Sequence, residues 1–202
     1  MNVEYEAMRL LNSASQLPSL VVFDLDYTLW PYFCETRSKR ESPVLYPQAK
    51  GIIEALKSKG VPMAIASRSP TADIAQTFLS KLNLTSAFPV MEIYSSWSHK
   101  TDHFQRIHHK TGIPYKEMLF FDDEDRNIQA ITQMGVTCVH VNNGVNIGAL
   151  NRGLQKFAGI DYVGPEGQAF RQKRVTDFFI KGGKKKAKQD QLECQEESFF
   201  AE

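Results

Sequence analysis

No stretch of the 202 residues is apolar for long enough to span a bilayer, which excludes a helical membrane protein. Cysteine is scarce. Cys34, Cys138 and Cys194 are odd in number and scattered, which argues against a disulfide framework and for a reducing compartment, cytoplasmic or nuclear. A surplus of one charge is missing too. The formal net charge is +1, so nothing global points to nucleic acid, and direct nucleic-acid binding is not expected. The opening MNVEYEAMRLLNSASQLP lacks a long apolar core and reads as a short amphipathic helix stopped near Pro18, not as a signal peptide.

What is present is one strongly marked stretch at 20–30, LVVFDLDYTLW. A short apolar run, Leu20 to Phe23, leads straight into Asp24 and Asp26. A run this short and rich in Val and Phe reads as a buried parallel strand. Carboxylates abutting such a strand are costly unless compensated. A divalent cation would compensate them, and a solvated acidic turn is the plainer alternative.

Further along, 30–47 holds Pro31, Pro43 and Pro47 around the charged ETRSKRE, and reads as irregular or as a small hairpin flap. A helix is predicted over 48–60, closed by Gly60, and a buried strand over 61–66, ending at Ser67. Ser69-Pro70-Thr71 starts a helix through Leu82. A strand over 90–94 precedes a helix over 99–111, closed by Gly112. A fourth strand over 118–121 ends at Asp122-Asp123, followed by a helix over 125–134, a fifth strand over 136–141 and a helix over 147–157. Strands alternating with helices predict an α/β fold: a three-layer αβα, Rossmann-like parallel sheet. No gap is long enough for a large cap domain, so an open site under a minimal flap is expected. Residues 1–18 are assigned to the N-terminal helix, 19–159 to the α/β domain and 160–202 to a flexible tail, first basic and then acidic.

In such a sheet, ligands sit beyond the carboxyl ends of the strands. Four of these ends or the segments that follow carry Asp24 and Asp26, Ser67 and Arg68, Lys100, and Asp122 and Asp123. This set suits phosphoryl transfer. A carboxylate can attack phosphorus, and the remaining task is positioning and neutralising charge. Mg²⁺ held by Asp24, Asp123 and the backbone carbonyl of Asp26 would do so, with Lys100 joining nucleophile and phosphate. The Ser67 hydroxyl would bind a phosphoryl oxygen. Asp26, free at its carboxyl end, would move the proton. Arg68 reads equally as a substrate contact or a solvated loop residue, and Arg37, Lys39 and Arg40 as a basic substrate rim or a solvated turn. Cys34 and Arg40 have the Cys-x₅-Arg spacing of cysteine-dependent phosphatases. The intervening ETRSK has no glycine and lies between no strand and helix, so that chemistry is rejected. His99, His103, His108 and His109 follow one another along one helix but fall on different faces, so no zinc site is expected.

FDLDYTLW, ASRSP, Lys100 and FFDDEDRN resemble, in order and spacing, the motifs of the haloacid dehalogenase (HAD) superfamily. The wider DLDYTLWP, IASRSPT, EIYSSWSHKTDHF and FFDDEDRNI are similar to its magnesium-dependent phosphatase family. The resemblance covers about 20–157. It implies a HAD-like fold, a Mg²⁺ cofactor and an aspartyl-phosphate on Asp24. Asp26 is then the acid/base, Ser67 the phosphate binder and Lys100 the charge clamp, with Asp123 a direct metal ligand and Asp122 acting through water. Asn127 stands where some relatives carry an acidic residue, and a supporting hydrogen bond is expected of it. Phosphotyrosine and sugar or fructosamine phosphates are the implied substrates. In the tail, Gln172, Val175, Phe178 and Phe179 resemble the box, here 172–179, that binds the replication sliding clamp. The alternatives are a Phe pair packed on the domain, or a lysine run serving nuclear import or nucleic acid.

Overall fold

The computed structural model describes residues 2–160. Five strands form one parallel sheet: β1 (Leu20–Phe23), β2 (Met63–Ser67), β3 (Val90–Ile93), β4 (Met118–Asp122) and β5 (Thr137–His140). Their order is β3-β2-β1-β4-β5, with β1 central. Six helices cover the sheet: α1 (Val3–Ser13), α2 (Ala49–Lys59), α3 (Ala72–Lys81), α4 (Thr101–Thr111), α5 (Asp125–Gln133) and α6 (Ile147–Phe157). The three-layer α/β architecture expected from the alternation is therefore present.

Strand alternation explains the layering. Val21, Phe23, Ile65, Leu119 and Phe121 share one core with α1, α2, α3 and α6. Leu20, Val22, Ala64, Met118 and Phe120 share the other with Phe104 and Ile107 of α4 and Ile131 of α5. Both faces of β1 are covered, which is why its sequence is continuously apolar. Asn2 caps α1 by accepting the Glu4 N–H at 3.0 Å, and left-handed Gly60 closes α2. Gly144 combines a φ of +69° with the Tyr46 ring, which a Cβ would meet at 2.1 Å.

Local differences from the sequence reading concentrate beside the strand ends. The hairpin alternative for 30–47 is not formed; the segment is irregular apart from a single 3₁₀ turn at Cys34–Thr36. Ser67 belongs to β2 itself, and Ser69 to Thr71 form a turn, so α3 starts only at Ala72. Helix α4 starts at Thr101, because His99 and Lys100 take left-handed φ values of 45° and 67°. Helix α1 ends at Ser13, well before Pro18.

Candidate active site

Register places the first pair of charges. Parallel β1 and β4 pair Phe23 with Phe121, and the Asp24 N–H donates to the Phe121 carbonyl at 3.0 Å. Asp24 and Asp122 therefore follow as neighbours, one strand spacing apart. By alternation both face the layer of α4. Lys100 comes from there. Its Nζ donates to Asp24 Oδ1 and Asp122 Oδ2, each at 2.5 Å, and only 2% of the lysine is exposed. Burial opposes the ammonium charge, but Asp122 and Asp24 outweigh it and hold the group above the ordinary lysine range.

One lysine does not neutralise the cluster. Asp24, Asp122 and Asp123 each place an oxygen within 4.8 Å of the others. Burial pushes the Asp24 carboxyl well above its ordinary range, against the pull of Lys100. Burial, with Asp122 beside it, pushes Asp123 up to about 6. The donor set is all oxygen and carries excess negative charge, which fits a hard divalent cation. Asn127 adds to the fit. Its Nδ2 donates to Asp122 and Glu124, while its Oδ1 is buried without a partner among the described residues. That acceptor suits a water carried by a hydrated ion.

Asp26 lies on the first turn beyond β1. The Leu25 carbonyl accepts from the N–H groups of Thr28, Leu29 and Trp30, and left-handed Tyr27 completes the bend. The Asp26 carboxyl is not free, contrary to the sequence expectation. Its Oδ1 accepts from Trp30 Nε1 at 2.7 Å and from the Cys34 N–H at 3.1 Å. These donors fix one oxygen and leave Oδ2 for other work. Burial raises its pKa, with both hydrogen bonds opposing.

Ser67 is buried at the end of β2, where its hydroxyl accepts the Ser69 N–H. His103 Nε2 reaches the Ser67 carbonyl at 2.9 Å and the Tyr94 carbonyl at 3.0 Å, tying the ends of β2 and β3 to α4. Two carbonyl partners require Nε2 to carry the proton.

Asp24, Asp26, Ser67, Arg68, Lys100 and Asp123 line one open cleft of about 270 Å³. The basic rim is placed elsewhere, which corrects one of the two flap alternatives. Arg37 pairs with Glu41 at 3.4 Å and lies over the Tyr32 ring, and Lys39 pairs with Asp73 at 2.7 Å. Phe33 and Glu35 are the flap residues that reach the cleft. Cys34 is buried, and burial pushes its thiol up to about 12, which agrees with rejecting cysteine chemistry. Sequence reasoning missed Trp30 as the holder of Asp26, and Glu124 and Arg126 as cleft residues. The last two were visible only as neighbours of Asp123 in FFDDEDRN. Gln172, Val175, Phe178 and Phe179 lie outside the described residues.

Comparison with known proteins gives the kinship. The Acid Phosphatase family profile matches residues 16–159. The chain is 42% identical over 159 residues to human Magnesium-dependent phosphatase 1, covering 71% of this chain and 89% of that protein. It is 35% identical over 158 residues to a HAD-like hydrolase superfamily protein of Schizosaccharomyces pombe, covering 65% and 91%. In fold it is similar to a HAD-superfamily hydrolase of Ehrlichia chaffeensis, with TM-score 0.56, 14% identity, and 71% and 99% covered. The phosphatase-domain part of a Bacteroides fragilis protein, complexed with Mg, gives TM-score 0.53 at 16% identity, with 77% and 43% covered. At such identities the solved structures speak for the fold alone, and the sequence matches carry the kinship: this chain belongs to the Acid Phosphatase family, among the HAD-like hydrolases.

Proposed function

We propose that the chain is a Mg²⁺-dependent phosphomonoesterase working through an aspartyl-phosphate on Asp24. The carrying observation is the buried Asp24–Lys100–Asp122 cluster with Asp123 beside it. Asp24, Asp123 and the backbone carbonyl of Asp26 would hold the ion, with Asp122 acting through water, and the ion would supply charge screening between nucleophile and phosphate. Lys100 fixes Oδ1 of Asp24 and, with the ion bound beside it, favours the ionised form that attacks. The carboxylate forms the bond to phosphorus as the ester P–O bond breaks, and Asp26 gives its proton to the leaving oxygen. Water then attacks the same phosphorus, Asp26 takes its proton back, and phosphate and the Asp24 carboxylate are released. The Ser67 hydroxyl and neighbouring N–H groups orient the phosphoryl oxygens.

The substrate reading is a phosphotyrosine-type ester or a sugar or fructosamine phosphate, supported by the open cleft and by Phe33 on its wall. Asp24→Asn is expected to lower hydrolysis of an aryl phosphate by about a thousandfold or more. A chelator should do the same, reversed by added Mg²⁺. Full activity of Asp24→Asn would sink the mechanism. Product analysis with acceptor alcohols separates hydrolysis from phosphotransfer. The clamp-binding box at 172–179 stands as a separate proposal, that of a domain tethered by its tail. Full-length protein titrated with the sliding clamp should bind, and Phe178→Ala with Phe179→Ala should abolish binding.

A further inference from the structure

The mouth of the cleft is electrically lopsided. Glu35 of the flap lines it, and so do Arg68 and Arg126, which gather around Glu124. Arg68 follows β2, and Arg126 lies just beyond β4. These two strands flank β1, which delivers Asp24, so the two arginines start from the connections on either side of the nucleophile's strand and their side chains converge on Glu124. Glu124 joins them. Its carboxylate accepts from Arg126 Nε at 2.9 Å and Nη2 at 2.6 Å, and lies 3.5 Å from Arg68 Nη1. Asn127 Nδ2 donates to it at 2.9 Å, linking the group to Asp122.

Two guanidiniums sharing one carboxylate leave one positive charge in surplus. They also leave donors unspent. Arg126 commits Nε and Nη2 to Glu124, so its Nη1 edge is available. Arg68 commits Nε to the Ser96 carbonyl at 3.2 Å and turns Nη1 to Glu124, so Nη2 is available. Both side chains are accessible, Arg126 more than half and Arg68 about a quarter. We propose that Arg68 and Arg126 form a second anion subsite, so that the preferred phosphomonoester carries another anionic group, a carboxylate or a second phosphoryl, close to the ester. This rests on the phosphatase reading above and adds the substrate class to it. The guanidinium edge supplies paired donors to such a group, and Glu35 turns it away from the flap. Glu124 fixes the two arginines so that little freedom is lost when the anion docks.

The test compares partners that differ only in the second charge, using the full chain with Mg²⁺. Phosphoglycolate is set against ethyl phosphate, 4-carboxyphenyl phosphate against phenyl phosphate, and ethylene glycol bisphosphate against ethyl phosphate. In at least one pair the anion-bearing member should have about tenfold higher kcat/KM, mostly through KM. The first two pairs report a carboxylate and the third a phosphoryl. Arg126→Gln should collapse that ratio to near one, and Arg126→Lys should restore part of it. High salt should shrink it. Equal rates within all pairs, or a ratio that survives both Arg126→Gln and Arg68→Gln, would overturn the subsite. Asp24→Asn is the separating control: activity there on every substrate would instead overturn the phosphatase reading.

Discussion

The floor of the cleft and its rim are made differently. On the floor, Asp24 and Asp122 are set by sheet register and Lys100 reaches both from the start of α4 within hydrogen-bond distance, all three shielded from water. On the rim, Arg126 in the first turn of α5 and Glu35 and Phe33 in the flap are exposed, with water around them. Charges on the floor interact strongly because little solvent screens them, and each depends on its partner being present. Charges on the rim interact weakly with the fold and are free to change without endangering it. Reaction chemistry belongs to the first region, and choice of substrate to the second.

Lys100→Met breaks the floor most severely. It leaves two buried carboxylates without their cation, so the metal-free protein should lose about 3–5 kcal/mol in chemical denaturation. Turnover of an aryl phosphate should fall below detection. Near-normal stability would mean that the floor is screened like the rim. Asp26→Asn is the next largest effect. It should keep the Trp30 and Cys34 hydrogen bonds through Oδ1, hold the fold, and lower kcat by about 10²–10⁴. An unchanged kcat would remove Asp26 as the proton carrier.

A smaller effect concerns pH. Burial lowers the pKa of His103 from 6.5; its hydrogen bonds to Tyr94 and Ser67 and the nearby Glu92 oppose, and Lys100 reinforces. Below 6.5 the unfolded chain binds the proton that the native state refuses, so this stabilisation is complete above 6.5 and fades as pH falls. Denaturation midpoints measured from pH 8 to 5 should fall more steeply in wild type than in His103→Gln, by at most about 1.4 kcal/mol per pH unit. Gln retains an N–H for the carbonyls without the titration, and parallel slopes would refute the assignment. The smallest effect belongs to the flap. Arg37→Ala breaks only an exposed pair with Glu41 and a contact with Tyr32, so stability should change by less than about 1 kcal/mol. The rate on phenyl phosphate should stay within about twofold. A tenfold loss would return Arg37 to the substrate.

The floor was legible in the sequence because its polar residues interrupt apolar strands, where burial makes charge conspicuous. Asp24, Ser67 and Asp123 were found at strand ends in this way. Lys100 was found only by its place after β3, since the helix predicted over 99–111 includes it and only the structure shows its left-handed backbone standing before α4. The rim was less legible. Arg37, Lys39 and Arg40 and the pair Arg68 and Arg126 look alike as letters, and only the fold decides which faces the cleft. The Trp30–Asp26 hydrogen bond was hidden because an aromatic after an acidic turn reads first as core. Trp30 is indeed fully buried, and its ring edge serves both purposes.

The pairing of Phe23 with Phe121 has a consequence for how such chains can change length. Exposed stretches of the connections, such as 38–42, can gain or lose residues with little effect on Asp24 and Asp122, because the sheet places those two. A single residue added between Phe121 and Asp122 would instead turn that carboxylate into the opposite helical layer, away from Lys100. The coordinates of the chemistry are therefore whole numbers, counted along two adjacent strands.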